Sequence, residues 1–179
     1  PALLAARVSM PDLAPEARAL LEACPTWMED VAKVVLRYPR RFWRDAGLSG
    51  RAASAVGPLV EVHDLSGAGG AEPALFGFLP QALHGPGWED RVRAQVGRLF
   101  GHEAARPESL HAAAWWTEQH TAAPRTRPTE PRLMGHAALR RPLLGGRLHL
   151  VSTETAAGRP GHLDGAVERA EAAVAQLLA

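Results

Sequence analysis

A short polar turn near the carboxyl end carries residue types suited to contacting a cofactor. The tetrapeptide STET at 152–155 directly follows the apolar run Leu148–Val151, which is predicted to be a short buried strand. In open α/β sheets, cofactors bind where strands end. The Gly- and Pro-containing residues 156–162 then interrupt regular structure, and a helical pattern begins at Leu163. Backbone N–H groups at that helix start would bind a phosphate or the electron-rich edge of a ring. An ordinary strand, turn and helix without a ligand fits the same spacing.

A second candidate is an amine in the middle of an early predicted strand. Lys33 lies within residues 28–38, where apolar residues occupy both faces of the alternating pattern. A partly buried ammonium with three N–H donors could hold a water against a reacting ring. An exposed lysine on a half-buried sheet fits the pattern equally well.

The residues around the terminal turn resemble the closing motif of the flavin-dependent amine oxidases, a family that includes monoamine, polyamine and L-amino-acid oxidases. Here TETA at 153–156 is followed, after a short gap, by GHLDGAV at 161–167. The family pattern is close to GTETA and then GY[ML][DE]GAV. Ser152 replaces the usual glycine, and His162 replaces the usual aromatic residue.

Other motifs follow in the family's order, so the resemblance covers nearly the whole chain. They are AKVV at 32–35, YPRRFWR at 38–44 with Arg41 at a usual proline, ALFGF at 74–78, LFG at 99–101, WWTEQ at 115–119 and GH at 135–136. The resemblance implies the carboxyl-terminal portion of such an enzyme. It also implies an absent amino-terminal part that carries the Gly-rich dinucleotide fingerprint.

The resemblance implies roles for individual residues. Lys33 would bridge through water to the flavin N5 and is the candidate catalytic residue. FAD would be contacted by Trp115, Glu154, Thr155, Gly161, His162 and Leu163. For Glu154, a solvated turn carboxylate is the alternative. His162 and Arg125 fall near the two positions where amine oxidases place aromatic rings around the substrate nitrogen, and an arginine there would repel a cationic amine. Pro124 stands where some members carry a flavin-linking cysteine, so FAD is expected to be non-covalent.

The predicted elements give an α+β fold. Alternating apolar residues predict strands over 28–38, 59–65, 74–79 and 110–117, arranged as an antiparallel sheet. Helical spacing predicts one helix beginning at Pro11 and ending before Cys24, and a second from Trp88 to Phe100 that Gly101 caps. Residues 1–134 would be part of a substrate-binding domain. Residues 135–179 would be the carboxyl-terminal part of a FAD-binding domain.

Three finer expectations concern local structure. Residues 2–10 are predicted to form an extended connector. The adjacent Trp115 and Trp116 would face opposite sides of a strand. The last helix would place its apolar residues on one stripe, which comprises Val167, Ala170, Val174, Leu177 and Leu178.

The composition narrows the class of protein. The 179 residues are 46% apolar and carry a net charge of +1, which indicates no nucleic-acid partner. No apolar run approaches the roughly 18 residues of a membrane span, and no signal peptide is visible, so the cytoplasm is the predicted compartment. The eight histidines lack ligand spacing, so no metal is expected. The single cysteine, Cys24, is expected to be a small buried apolar residue.

Two functions of different classes remain open. The first is a FAD-dependent oxidoreductase that takes a hydride equivalent from a C–N bond of a small amine or amino acid. Oxygen would reoxidise the flavin, and the imine would hydrolyse. The second is a truncated, non-catalytic relative that acts as a subunit or interaction module. It would pair with itself or with a missing amino-terminal chain through an exposed apolar face.

Overall fold

The computed structural model describes residues 1–124 and 130–178, which form two compact units. One unit combines Pro1–Glu29 with Glu118–Ala179, and the other is the continuous segment Asp30–Thr117. The helices are α1 (Ala2–Arg7), α2 (Pro15–Ala23), α3 (Phe42–Asp45), α4 (Trp88–Phe100) and α5 (Leu163–Leu178). The strands are β1 (Val31–Arg37), β2 (Ala52–Ala53), β3 (Glu61–Asp64), β4 (Ala74–Pro80) and β5 (Ser109–Ala114).

The expected boundary at residue 134 lies inside the first of these units. The amino-terminal residues pack with the end of the chain. For example, the Glu130 backbone N–H donates to the Ala23 carbonyl at 2.8 Å. Sequence pattern could not reveal this because the two segments are separated by the whole of Asp30–Thr117. Which ligand each unit would bind stays a prediction.

The unit Asp30–Thr117 is built on a five-stranded antiparallel sheet with the order β2-β3-β4-β1-β5. β1 lies between β4 and β5, and its Lys33 pairs with Phe78 on one side and Ala113 on the other. Each of the four predicted strands overlaps one of β1, β3, β4 and β5, so the α+β class and the antiparallel sheet are confirmed.

One face of this sheet is closed by an apolar core. Ala32, Val34 and Leu36 of β1 are fully buried, and α4 contributes Val92 and Val96 to the same cluster. The residues between them on β1, including Lys33, point to the opposite face and are only partly buried. The sheet therefore has a packed face and a half-open face, and the half-open face carries the amine.

The unit formed by the two chain ends has its own apolar core. The buried members of this core are Ala5, Met10, Leu13, Leu21, Cys24, Leu139 and Leu150. Residues 2–7 form α1 rather than the expected extended connector, because Ala2 and Ala5 are buried on one side of a helical turn. Cys24 is fully buried as expected, and burial raises the pKa of its thiol to about 11.

The strand predicted at Leu148–Val151 is wrong. Within the described residues this segment makes a single antiparallel bridge, from Leu148 to Leu143, and no ladder. The carbonyl of Leu150 instead accepts from side chains, at 3.3 Å from Thr155 Oγ1 and 3.2 Å from Arg169 Nη2. A strand needs a neighbouring backbone edge, and none of the described residues supplies one.

The expectation that Trp115 and Trp116 alternate across a strand is also wrong. β5 ends at Ala114, and Trp115–Thr117 form a 3₁₀ turn. The Thr117 hydroxyl donates to the Ala114 carbonyl at 2.8 Å and so closes the turn. This side-chain bond competes with continued strand pairing, which explains why an apolar run alone did not locate the end of the strand.

Candidate functional site

Glu154 is buried in the turn after the apolar run 148–151. Its side chain is 7% exposed, and its Oε1 accepts the backbone N–H of Trp27 at 3.1 Å. The Glu154 carbonyl accepts the backbone N–H of Gly135 at 2.7 Å. Burial alone would raise the pKa of this carboxyl, but the N–H of Trp27 and further hydrogen bonds outweigh it, and the pKa is lowered. Glu154 is therefore an ionised anchor of the turn and not a solvated carboxylate.

Thr155 is fully buried beside this anchor. Its Oγ1 lies 2.8 Å from the Ser152 carbonyl oxygen and 3.3 Å from the Leu150 carbonyl oxygen. The hydroxyl therefore stabilises the turn, because both of its hydrogen bonds go to carbonyl groups earlier in the same segment.

Gly161 occupies a position that a side chain could not share. Its φ is +86°, and its N–H donates to the Thr153 carbonyl at 3.1 Å. A Cβ built there would lie 2.6 Å from the ring of Trp27 and 3.1 Å from Met134 Cε. The indole therefore lies directly against the glycine backbone.

His162 and Leu163 follow Gly161 at the surface. The His162 ring lies 5.7 Å from the Trp27 ring, centroid to centroid, with an angle of 48° between the planes. Leu163 is 88% exposed, and the Trp27 side chain is 45% exposed. This end of the turn presents two rings and an apolar side chain to solvent, a surface suited to a flat, partly apolar ligand.

Trp27 is the residue of this cluster that sequence reasoning missed. It contacts the turn through its backbone and through its ring, although 127 positions separate it from Glu154. No motif or periodicity relates residues that distant in the sequence. The sequence shows only a tryptophan shortly before the predicted strand at 28–38, and this does not specify which residues it contacts.

Lys33 lies on the half-open face of the sheet in the unit Asp30–Thr117. Its Nζ is 4.4 Å from the centroid of the Phe76 ring, a cation–π contact between neighbouring strands β1 and β4. The His63 ring stacks on Phe76 at 5.0 Å with 19° between the planes. The His63 imidazole in turn lies 3.0 Å from Glu61 Oε2. An amine, two rings and a carboxylate thus share one face, and they could position a polar ligand against an aromatic surface.

The apolar and aromatic residues of β4 alternate in the sequence, and this pattern contains the aromatic neighbours of Lys33. Phe76 and Phe78 are two residues apart on β4, so they point to the same face, and their rings meet edge to face at 5.5 Å. The pairing register between β1 and β4 then decides which side chains meet Lys33. That register is a tertiary property, so the cluster was not predicted.

Trp115 belongs to the same unit as Lys33. It directly follows Ala114, which pairs with Ala32 on β1, and it is 40% exposed. Its position two residues beyond Ala113, the β5 partner of Lys33, leaves both residues in one end region of the sheet. Trp116 instead joins the apolar core and makes an edge contact with His84 at 5.2 Å.

The predicted site residues thus fall in different units. Lys33 and Trp115 belong to Asp30–Thr117, and the turn residues Glu154–Leu163 belong to the unit of the chain ends. Arg125 lies outside the described residues. Across 1–124 and 130–178, no group of three His, Cys, Asp or Glu side chains is arranged to hold a metal ion. Within the same ranges, no helix has the length and apolar character that crossing a bilayer requires.

A family profile and individual relatives both match this chain, and they agree on one family. The sequence profile of the flavin containing amine oxidoreductases matches residues 4–178. The putative flavin-containing monoamine oxidase AofH of Mycobacterium tuberculosis is 34% identical over 178 residues. The probable flavin-containing monoamine oxidase A of Dictyostelium discoideum is 30% identical over 179 residues. Each alignment covers 94% of this chain and 38% of the relative.

Solved structures share the fold. Wild-type putrescine oxidase bound to putrescine gives a TM-score of 0.80 at 24% identity, covering 99% of this chain and 41% of that chain. Cyclohexylamine oxidase from Brevibacterium oxydans IH-35A gives 0.75 at 27% identity, covering 98% of this chain and 41% of that chain. The chain spans less than half the length of these relatives. Because the family profile matches almost every residue, the chain belongs to the flavin-containing amine oxidoreductase family.

Proposed function

We propose that this chain is the carboxyl-terminal portion of a flavin-dependent oxidoreductase. The complete enzyme would oxidise a C–N bond of a small amine or amino acid, with FAD as acceptor and oxygen as reoxidant. The observation that carries the proposal is the family match over residues 4–178. The relatives' names add support, since they are monoamine, putrescine and cyclohexylamine oxidases. The cytoplasm remains the predicted compartment.

The residues of the terminal turn fit a flavin. Gly161 is partly exposed and its backbone lies against the Trp27 indole, and the buried Glu154 holds the same turn through the backbone N–H of Trp27. Glu154, Thr155, Gly161, His162 and Leu163 would therefore hold the flavin in the FAD-binding domain, mainly through their backbone. When bound, FAD supplies the two-electron redox chemistry, and the protein supplies position and electrostatics.

Lys33 would act from the sheet. Its ammonium is held over Phe76 and keeps its N–H donors available for a water, because the ring contact uses no hydrogen bond. That water would be positioned to exchange a proton during turnover. Trp115, at the end of β5, would form part of the apolar wall that excludes other water.

The substrate proposal follows from two departures from the family pattern. His162 stands where an aromatic ring is usual, and Arg125 falls near the second such position. A guanidinium there disfavours a simple cationic amine and favours a substrate that also carries a carboxylate. An amino acid is therefore the proposed class within the amines.

The flavin is proposed to be non-covalent. Cys24 is fully buried in the core of its unit, and burial raises its thiol pKa to about 11. A buried, protonated thiol is a poor nucleophile and cannot reach a surface ligand. This agrees with Pro124 at the position of the family's flavin-linking cysteine.

Absorbance of the purified chain is the first test. We expect the visible absorption of a bound flavin when FAD and the rest of the enzyme are supplied. A protein that stays colourless under those conditions contradicts the proposal. It would favour the second candidate, a non-catalytic subunit that pairs with itself or with another chain. The exposed apolar residues of α5 are the observation that favours this second function.

A further inference from the structure

The ring of Phe76 is contacted by side chains from two different strands. The His63 ring of β3 stacks on it at 5.0 Å, with 19° between the planes. The Nζ atom of Lys33, on β1, lies 4.4 Å from the ring centroid. Because β4 lies between β3 and β1 in the sheet, the imidazole and the ammonium approach Phe76 from opposite sides. The ring is therefore held between an aromatic partner on one face and a cation on the other.

The direction in which Lys33 extends depends on this ring. In the pairing of β1 with β4, Phe78 is directly opposite Lys33. Phe76 is opposite Val35, two residues further along β1. The ammonium therefore reaches its ring along the diagonal, a distance that a long side chain can span. A lysine stem has many accessible rotamers, so the position of the Phe76 ring face selects among them.

His63 is itself restrained by a carboxylate. It is directly opposite Phe76 in the pairing of β3 with β4. Its Nε2 lies 3.0 Å from Glu61 Oε2, a distance at which the ring N–H donates to that oxygen. Glu61 and His63 are two residues apart on β3, so both lie on the same face of the sheet. Glu61 therefore restrains the plane of the imidazole that stacks on Phe76.

We propose that His63 is a positioning residue for Lys33 and that it acts through Phe76. The restrained imidazole holds the phenyl ring, and the ring holds the ammonium where it can position a water. The proposal rests on the proposed function, because Lys33 is taken as the residue that positions this water in the reaction. An amine that samples several rotamers would lose the alignment on which assisted proton transfer depends.

The single lysine of the chain makes the proposal testable in the full 179-residue protein. Isotope labelling of lysine gives one ε-methylene NMR signal, that of Lys33, and the ring current of Phe76 should displace it upfield. We expect His63→Ala to lose most of this displacement, as Phe76→Leu should. His63→Phe keeps a ring that can stack, so it should retain most of the displacement. Circular dichroism verifies that each variant is folded.

His111 provides a matched control for His63. It pairs with Val35 from β5, and Val35 is two residues from Lys33, so His111 lies on the same face of the sheet. Because β1 lies between β4 and β5, His111 is on the far side of β1 from Phe76. The variant His111→Ala should therefore leave the Lys33 signal in its wild-type position.

Two results would overturn the inference. The first is an unchanged Lys33 signal in His63→Ala, because Phe76 would then hold its position without the imidazole. The second is an equal loss in His63→Phe and His63→Ala, because the effect would then not depend on ring stacking.

Flavin reoxidation in the complete, flavin-loaded enzyme supplies a second readout. His63→Ala should slow it in the same direction as Lys33→Met, and His63→Phe should restore most of the rate. Loss of the signal displacement in His63→Ala, together with unchanged reoxidation in Lys33→Met, would support the ring contact. That combination would contradict the role of Lys33 in the proposed function, so the two failures are distinguishable.

Discussion

Gly161 shows at the residue scale how an absent side chain sets the packing of the turn. Its positive φ and the indole at 2.6 Å from a would-be Cβ impose two separate constraints. The first is a backbone preference and the second is a steric one. Gly145 shares the first, with φ at +65°, but nothing lies within 4 Å of a Cβ built there. The two glycines therefore form a natural pair for comparison.

Gly161→Ala should destabilise the protein more than Gly145→Ala. Both pay the backbone cost of about 1 kcal/mol, and only Gly161→Ala must also displace Trp27. We expect an additional loss of about 1–2 kcal/mol in the free energy of unfolding, measured by urea denaturation. In a Trp27→Ala background, Gly161→Ala should lower the free energy of unfolding by much less of this additional amount, because the indole is no longer there to be displaced. Equal effects of the two single variants would contradict the contact.

Glu154 should make stability depend on pH. Its pKa is lowered from the ordinary value of 4.5, so the folded state favours the ionised form. The stabilisation is present above the unfolded pKa and is lost as pH falls through the folded value. Glu154→Gln keeps an oxygen for the Trp27 N–H but removes this dependence. The difference in urea midpoint between wild type and variant should be large at neutral pH and shrink below about pH 4.5. A constant difference would show that Glu154 contributes packing alone.

Lys33 carries the residue-scale prediction for chemistry. In the complete, flavin-loaded enzyme, Lys33→Met should slow flavin reoxidation by oxygen at least about tenfold, because it removes the amine that positions a water. Stopped-flow absorbance of the reduced flavin measures this rate. The thioether keeps the contact with Phe76, so stability should change little. An unchanged reoxidation rate would remove Lys33 from the mechanism.

At the scale of elements, α4 and α5 are two amphipathic helices that differ in whether their apolar side is buried. α4 places Val92 and Val96 in the core of its unit, both fully buried. α5 leaves Val174 54% exposed. The same residue type at helical spacing is a core residue in one case and a surface residue in the other. The difference lies in what the described chain offers as a packing partner.

Matched valine truncations should separate these cases. Val96→Ala should lower the free energy of unfolding by about 2 kcal/mol, because it leaves a cavity in a closed core. Val174→Ala should change it by less than about 0.5 kcal/mol in the isolated chain. Thermal and urea denaturation measure both values. A large loss for Val174→Ala would mean that the chain buries the α5 stripe, by folding or by self-association.

At the scale of the whole molecule, two compact units share one chain, and the site residues divide between them. The unit of the chain ends contains the turn around Glu154, and the unit Asp30–Thr117 contains the Lys33 face. Relatives of more than twice this length share the family. We therefore propose the activity for an enzyme of the relatives' length, in which these units would form one part.

The sequence by itself determined the family, the approximate positions of β1, β3, β4 and β5, and the large helix α4. Local rules suffice for these, because alternation specifies a strand, 3.6-residue spacing specifies a helix, and short motifs such as TETA carry a family's signature. The tertiary structure decided the partners. It placed Trp27 against Gly161 and Phe76 against Lys33. Among the residues that the structure describes, it gave 148–151 no strand ladder and left the apolar stripe of α5 exposed. Such contacts join residues far apart in the chain or depend on a packing partner, and no local pattern encodes either.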